Sequence, residues 1–184
     1  MQLRSEPVWR LAKPFFTHQV PKNLKSWLLD RGSLTQRLQS QCDAFRVQVF
    51  DQYWAKPTFS EQKLLNLPHA ELCFIREVHL FCDDEPAVFA RTVIPQDTLR
   101  GELQKLTQLG TQPLGAVLFA NHQIQRGVLQ SCCVKSHHEI YQQALCHSHF
   151  FDKQIWGRRS PFYLDNKPLL VSEFFLPVIE KFSL

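Results

Sequence analysis

Hydrophobic positions recur along this chain in two periods, and the two periods fall in separate blocks. Apolar residues at every second position predict strands: Phe45, Val47 and Val49 open one, residues 72–81 form a second and residues 88–94 a third. Only a short turn at Pro86 separates the second from the third, so they should pair as an antiparallel hairpin. Residues 155–164 and 169–176 make another such pair around Asp165-Asn166-Lys167-Pro168. Helical spacing occurs in Leu24, Trp27 and Leu28, and again in Leu99, Leu103, Leu106 and Leu109. Asp97 or Thr98 can cap that second run and Gly110 can close it. Ser33-Leu34-Thr35-Gln36 matches a capping box, which predicts a helix from there to about residue 41. Residues 1–22 read as mostly irregular and 57–68 as a flexible crossing. Residues 116–120 and 127–134 are ambiguous apolar runs, the second more strand-like. Strands come in adjacent pairs with no regular strand–helix alternation and no internal repeat. The pattern predicts an α+β fold on an antiparallel sheet, not a doubly wound one.

Composition narrows the class. The chain has 184 residues, 44% of them hydrophobic, which suits one domain spanning 1–184. A chain of this length buries roughly 70% of its unfolded surface. Net charge is +4, and no Lys/Arg run exceeds the pair Arg158-Arg159, so a nucleic-acid footprint is not expected. The N-terminal residues lack the apolar run of about 7–15 residues that a secretory signal needs. No stretch is apolar for long enough to span a bilayer as a helix. A cytoplasmic protein is expected, with its six Cys as free thiols.

Three charges interrupt apolar strand faces. Side chains on a strand alternate sides, so Arg76 shares a face with Phe74, Val78 and Leu80. Arg91 shares one with Phe89 and Val93, and Glu173 one with Leu169, Val171 and Phe175. A buried charge needs a partner or a ligand. One reading is a structural Arg–Glu bridge across the sheet. The other is a polar site of two Arg and one Glu, suited to a carboxylate ligand because Arg presents a planar fork. Parity alone leaves both open. Arg158 and Arg159 point to opposite faces, so at most one reaches the core, and an exposed rim or a hairpin salt bridge is the simpler reading. Trp156 reads as a core anchor.

These residues lie in segments that resemble the bacterial chorismate pyruvate-lyases. The segments are Ile75-Arg76-Glu77, Ala90-Arg91-Thr92-Val93-Ile94-Pro95, Gln112-Pro113-Leu114-Gly115, Trp156-Gly157-Arg158-Arg159-Ser160 and the run from Lys167 to Pro177. They stand in family order over roughly residues 22–178, and Trp27-Leu28-Leu29 and Ser33-Leu34-Thr35-Gln36-Arg37 fit as well. The resemblance implies about six antiparallel strands with helical flaps over a buried ligand site. It implies conversion of chorismate to 4-hydroxybenzoate and pyruvate, opening ubiquinone synthesis, with no metal or organic cofactor. Arg76 matches the arginine that grips the ring carboxylate, and Glu173 the carboxylate near the C4 hydroxyl. Leu114 and Leu34 match ligand-contacting positions in the turn and the flap, the latter commonly Met in the family. Arg91 matches a second arginine, assigned to the enolpyruvyl side, so Glu173 and Arg91 are the expected catalytic pair. The expected partners are chorismate and its product, with no nucleic acid, no membrane insertion and a monomeric chain. The alternative is a non-catalytic module of the same fold that binds an aromatic carboxylate, as the effector domains of some bacterial regulators do.

One segment departs from the family, a Cys/His-rich insertion near 131–152. Cys132, Cys133, His137, His138, Cys146, His147 and His149 could offer zinc ligands, but their spacing matches no standard set. An exposed helical insertion is the expectation, and a metal-stabilised interaction protein the third reading.

Overall fold

In the computed structural model the described residues are 5–12, 20–120, 124–147, 154–164 and 166–182. Eight strands form one antiparallel sheet: β1 (Arg10–Leu11), β2 (Phe45–Ala55), β3 (Cys73–Cys82), β4 (Glu85–Pro95), β5 (Gln125–Arg126), β6 (Gln130–Val134), β7 (Ile155–Leu164) and β8 (Lys167–Phe175). The order is β1-β6-β7-β8-β4-β3-β2, with β5 paired to β7. The count exceeds the expected six because β1 and β5 are two residues each, too short to show alternation. Among the described residues five α-helices accompany the sheet: α1 (Lys22–Leu29), α2 (Leu34–Gln39), α3 (Phe59–Leu65), α4 (Leu114–Ala120) and α5 (Glu139–Leu145). No helix among the described residues is long and apolar enough to cross a membrane.

Every residue of β3 is buried, because helices cover both faces of the sheet. On one face Leu24, Trp27 and Leu28 of α1 and Leu34 and Leu38 of α2 pack on Val78, Leu80 and Ala90. Leu114 and Leu118 of α4 continue that layer over Phe74 and Phe162. On the other face Tyr141, Ala144 and Leu145 of α5 pack on Phe89 and Phe174, and Leu65 of α3 packs on Val93 and Leu170. Trp156 is buried in the first layer, as a core anchor should be.

Local chemistry explains most departures from expectation. Residues 57–68 are no flexible crossing: Thr58 and Glu61 form a reciprocal capping box that starts α3, and Asn66 ends it in the left-handed conformation. The Leu103, Leu106, Leu109 run winds as a 3-10 helix over Gly101–Gln108, which fits its spacing of three. Its expected cap Thr98 instead donates its hydroxyl to the Pro168 carbonyl. Residues 116–120 resolve as helix within α4. Residues 1–22 are irregular where described, apart from β1, which pairs with β6, and Lys22, which opens α1. The free-thiol expectation is corrected for one pair. Phe45 faces Cys82 across β2 and β3, which brings Cys42 beside Cys82, and the two form a disulfide with Cα atoms 5.4 Å apart. Cys73, Cys132, Cys133 and Cys146 are free. Asp165 of the last turn, and His149 with the end of the Cys/His-rich segment, lie outside the described residues.

Candidate active site

Residues opposite one another on neighbouring strands project from the same face. Arg76 on β3 stands opposite Thr92, Thr92 opposite Val171, and Val171 opposite Ser160. The next row on this face reads Val78, Ala90, Glu173, Arg158. Arg76 and Glu173 are therefore two strands and two residues apart. Strand spacing of ~4.8 Å and a rise of ~3.4 Å per residue put their backbones about 12 Å apart. That span suits one six-membered ring with a polar group at each end.

Two short helices close over this face. α2 starts at Leu34, where Ser33 Oγ accepts the Gln36 amide, and α4 starts at Leu114 after Pro113. The first amides of a helix have no partner within it, so each start offers backbone donors. Leu34, Thr35, Leu114 and Gly115 line a cavity together with Arg76 and Glu173. The helices meet at Gly115, where a Cβ would stand 2.9 Å from Thr35 Oγ1. The cavity measures about 50 Å³. A benzene-sized guest takes a cavity of roughly 150 Å³, so a ring enters only if α2 and α4 move apart.

Arg76 is 2% exposed and has no carboxylate within ion-pair distance among the described residues. Its Nη2 donates to the Gly110 and Gln112 carbonyls at 2.9 and 3.1 Å, while Nε has no partner. Burial alone pulls its pKa down to about 10, still protonated at neutral pH. A buried cation without a counter-ion is costly unless an anion arrives.

At the other end Glu173 is ion-paired. Arg158 Nε donates to Glu173 Oε2 at 2.6 Å, and Arg158 Nη1 donates to the carbonyls of Trp27 and Asp30, each at 2.6 Å. Arg158 is 1% exposed and Arg159 is also buried, on the opposite face, which corrects the exposed-rim reading of this pair.

A further arginine, which the sequence reading missed, stands on the site's face. Arg126 of β5 lies opposite Phe162, donates from Nε to Ser160 Oγ at 3.1 Å, and has a buried Nη1 without a partner. Burial, then the neighbouring Arg158, lowers its pKa to about 10. It too has no carboxylate within ion-pair distance among the described residues. β5 is too short for parity to flag it, and only its place between two apolar runs hinted at a role.

Arg91 is not part of this constellation. It pairs with Glu77 across β3 and β4, one residue out of step with Arg76, and so projects from the opposite face. Its Nε donates to Glu61 Oε1 at 2.8 Å, and its Nη1 to Glu77 Oε1 at 2.6 Å and Tyr53 Oη at 3.0 Å. Burial works against its charge, but Glu61 and Glu77 hold it firmly protonated. The structure does not bring Arg91 together with Arg76 and Glu173, and its contacts are those of a structural Arg–Glu bridge. Arg91 lines a larger cavity of about 350 Å³ with Tyr53, Glu61, Arg159 and Ser172. Its Arg91 guanidinium is already neutralised by Glu61 and Glu77.

The fold defines a class. The ligand-binding domain of a putative GntR-family transcriptional regulator from Bordetella bronchiseptica matches with a TM-score of 0.55 at 14% identity, over 73% of this chain and 85% of that one. The effector domain of PhnF from Mycobacterium smegmatis matches at 0.56 and 11% identity, over 82% of this chain and 91% of that one. Those likenesses establish the shared antiparallel α+β fold. Sequence goes further. The family profile described as chorismate lyase matches residues 5–183. A probable chorismate pyruvate-lyase from Nitrosomonas europaea is 38% identical over 162 residues, covering 88% of this chain and 91% of that protein. Another from Aromatoleum aromaticum is 42% identical over 163 residues, covering 88% of each. This chain belongs to the chorismate lyase family.

Proposed function

We propose that the chain cleaves chorismate to 4-hydroxybenzoate and pyruvate, in the cytoplasm, as the opening step of ubiquinone synthesis and with no metal or organic cofactor at the active site. The observation that carries this reading is Arg76, a buried arginine with no counter-ion among the described residues, at the end of a ring-length site. The ring carboxylate of chorismate supplies the missing anion, held by Arg76 and by the amides that open α2 and α4 at Leu34 and Leu114. Chorismate carries a second carboxylate on its enolpyruvyl arm. Arg126, also without a carboxylate partner among the described residues, is the group that receives it, in place of Arg91.

The chemistry is an elimination. The C4 hydrogen leaves as a proton, its electron pair completes the aromatic ring, and the C3–O bond breaks. Enolpyruvate departs and takes a proton at its methylene carbon to become pyruvate. Glu173, fixed by Arg158 beside the C4 end, accepts the C4 proton. Arg126 stabilises charge growing on the departing enolpyruvate oxygen. Aromatisation supplies the driving force, so the site chiefly orients the substrate and excludes water.

The test is to incubate the purified chain with chorismate and follow 4-hydroxybenzoate by absorbance. Turnover that collapses in Glu173→Gln supports the reading. A chain that melts higher with 4-hydroxybenzoate yet turns nothing over is the non-catalytic binding module instead.

A further inference from the structure

Cys146 and His147 of the Cys/His-rich segment do not line the site above. α5 lies in the excursion between β6 and β7, and its C-terminal end crosses to β3. There His79, Cys146 and His147 each bring one ligand atom into a cluster within 4.8 Å. Cys146 Sγ is 3.9 Å from His79 Nε2, and the His79 and His147 rings stand edge-on with centroids 4.9 Å apart. We propose that these three side chains form a binding site for a borderline-soft divalent cation of the zinc class, which clips α5 to the sheet.

Three observations support it. First, His79 is 0% exposed and presents Nε2 to the cluster, 3.9 Å from Cys146 Sγ, while Nδ1 on the other side of the ring is the position left to carry the proton. Its ring is fixed among Phe50, Phe81 and Phe89, which hold the ligand in place. Second, Cys146 and His147 are exposed, which gives an ion a way in. Third, the donor set is two imidazoles and one thiol with no carboxylate, a choice that favours zinc over magnesium or calcium. Zinc bonds of about 2.0 Å to nitrogen and 2.3 Å to sulfur imply ligand separations of roughly 3.5 Å. The cluster tightens by about 1 Å at its widest to meet that, and the exposed pair just past α5 provides the movement.

On binding, Cys146 loses its thiol proton to solvent and His79 Nε2 gives up its hydrogen bond to the Ala144 carbonyl, its proton moving to Nδ1. The three ligands among the described residues leave a fourth position of the tetrahedron open. His79 points away from Arg76, so the ion sits across the sheet from the candidate active site. Two other candidates are placed elsewhere: Cys132 is buried in the sheet, and His138 Nδ1 accepts the Lys135 amide at 2.8 Å.

The test uses the full chain stripped with a chelator and titrated with zinc against a chromogenic competitor, then with cobalt. The site predicts one zinc per chain, a thiolate-to-cobalt charge-transfer band, and a melting temperature raised by zinc. Cys146→Ser should abolish the band, and Cys146→Ser and His147→Gln should each weaken zinc by about tenfold or more. Both residues are exposed, so these variants fold, which circular dichroism checks. Cys133→Ser and His137→Gln should bind as the parent does. No zinc uptake, or uptake unchanged in both ligand variants, overturns the proposal.

Discussion

Arg158 Nε lies 2.6 Å from Glu173 Oε2 while the same guanidinium holds the carbonyls of Trp27 and Asp30 at the end of α1. One cation thus fixes both the proposed proton acceptor and the helix that leads into the α2 flap. Arg158→Met should therefore cost stability and turnover together. Leaving a largely buried carboxylate unpaired costs about 3 kcal/mol or more. Denaturant midpoints and kcat measured on one preparation check both effects.

Arg76→Met should do the reverse to stability. It removes a buried cation that has no counter-ion, so the ligand-free chain should melt at the same temperature or higher. Ligand recognition should fall by about 10- to 150-fold, the worth of one charged hydrogen-bonded contact. Thermal unfolding with and without 4-hydroxybenzoate separates the two effects: the variant should lose the ligand-induced rise.

Glu77 predicts a pH dependence. Burial pushes its carboxyl above the usual value of 4.5, against the opposing pull of Arg91. The native state then holds a proton that the unfolded chain has already released. Stability from this group is full below pH 4.5 and falls as pH rises through the window just above it. Glu77→Gln should flatten that segment of the stability curve, as denaturation at stepped pH will show.

Gly115→Ala places a methyl group against Thr35 Oγ1, where α2 and α4 meet. The flaps should part. Product should dissociate faster, while the sheet beneath keeps its stability. Stopped-flow displacement of bound 4-hydroxybenzoate measures the rate, and an unchanged rate would mean that the α2–α4 contact does not gate the site.

The sequence made each strand's two faces legible, but not how the faces of different strands line up. Arg76 and Glu173 stood out because each breaks an apolar alternation. Arg91 does so too, but on the opposite face. Both faces of β3 and β4 are covered, so neither carries the run of polar residues that marks a solvent side. Only the register, with Thr92 and not Arg91 opposite Arg76, decides which charges meet. Arg126 was hidden because a two-residue strand has no period. α3 was legible in Thr58 and Glu61, but Pro57 and Pro68 drew the segment towards a loop. The His79 partnership with Cys146 spans 67 residues and has no local motif.

The central claim is tested most directly by kcat/KM for chorismate in Arg76→Met, Arg126→Met and Arg91→Met, with 4-hydroxybenzoate and pyruvate both quantified. Equal amounts of the two products should form. The first two variants should lose about 10- to 150-fold each, and the folded fraction of the third should keep the parent's value. No product from the parent chain, or a loss confined to Arg91→Met, would contradict the account.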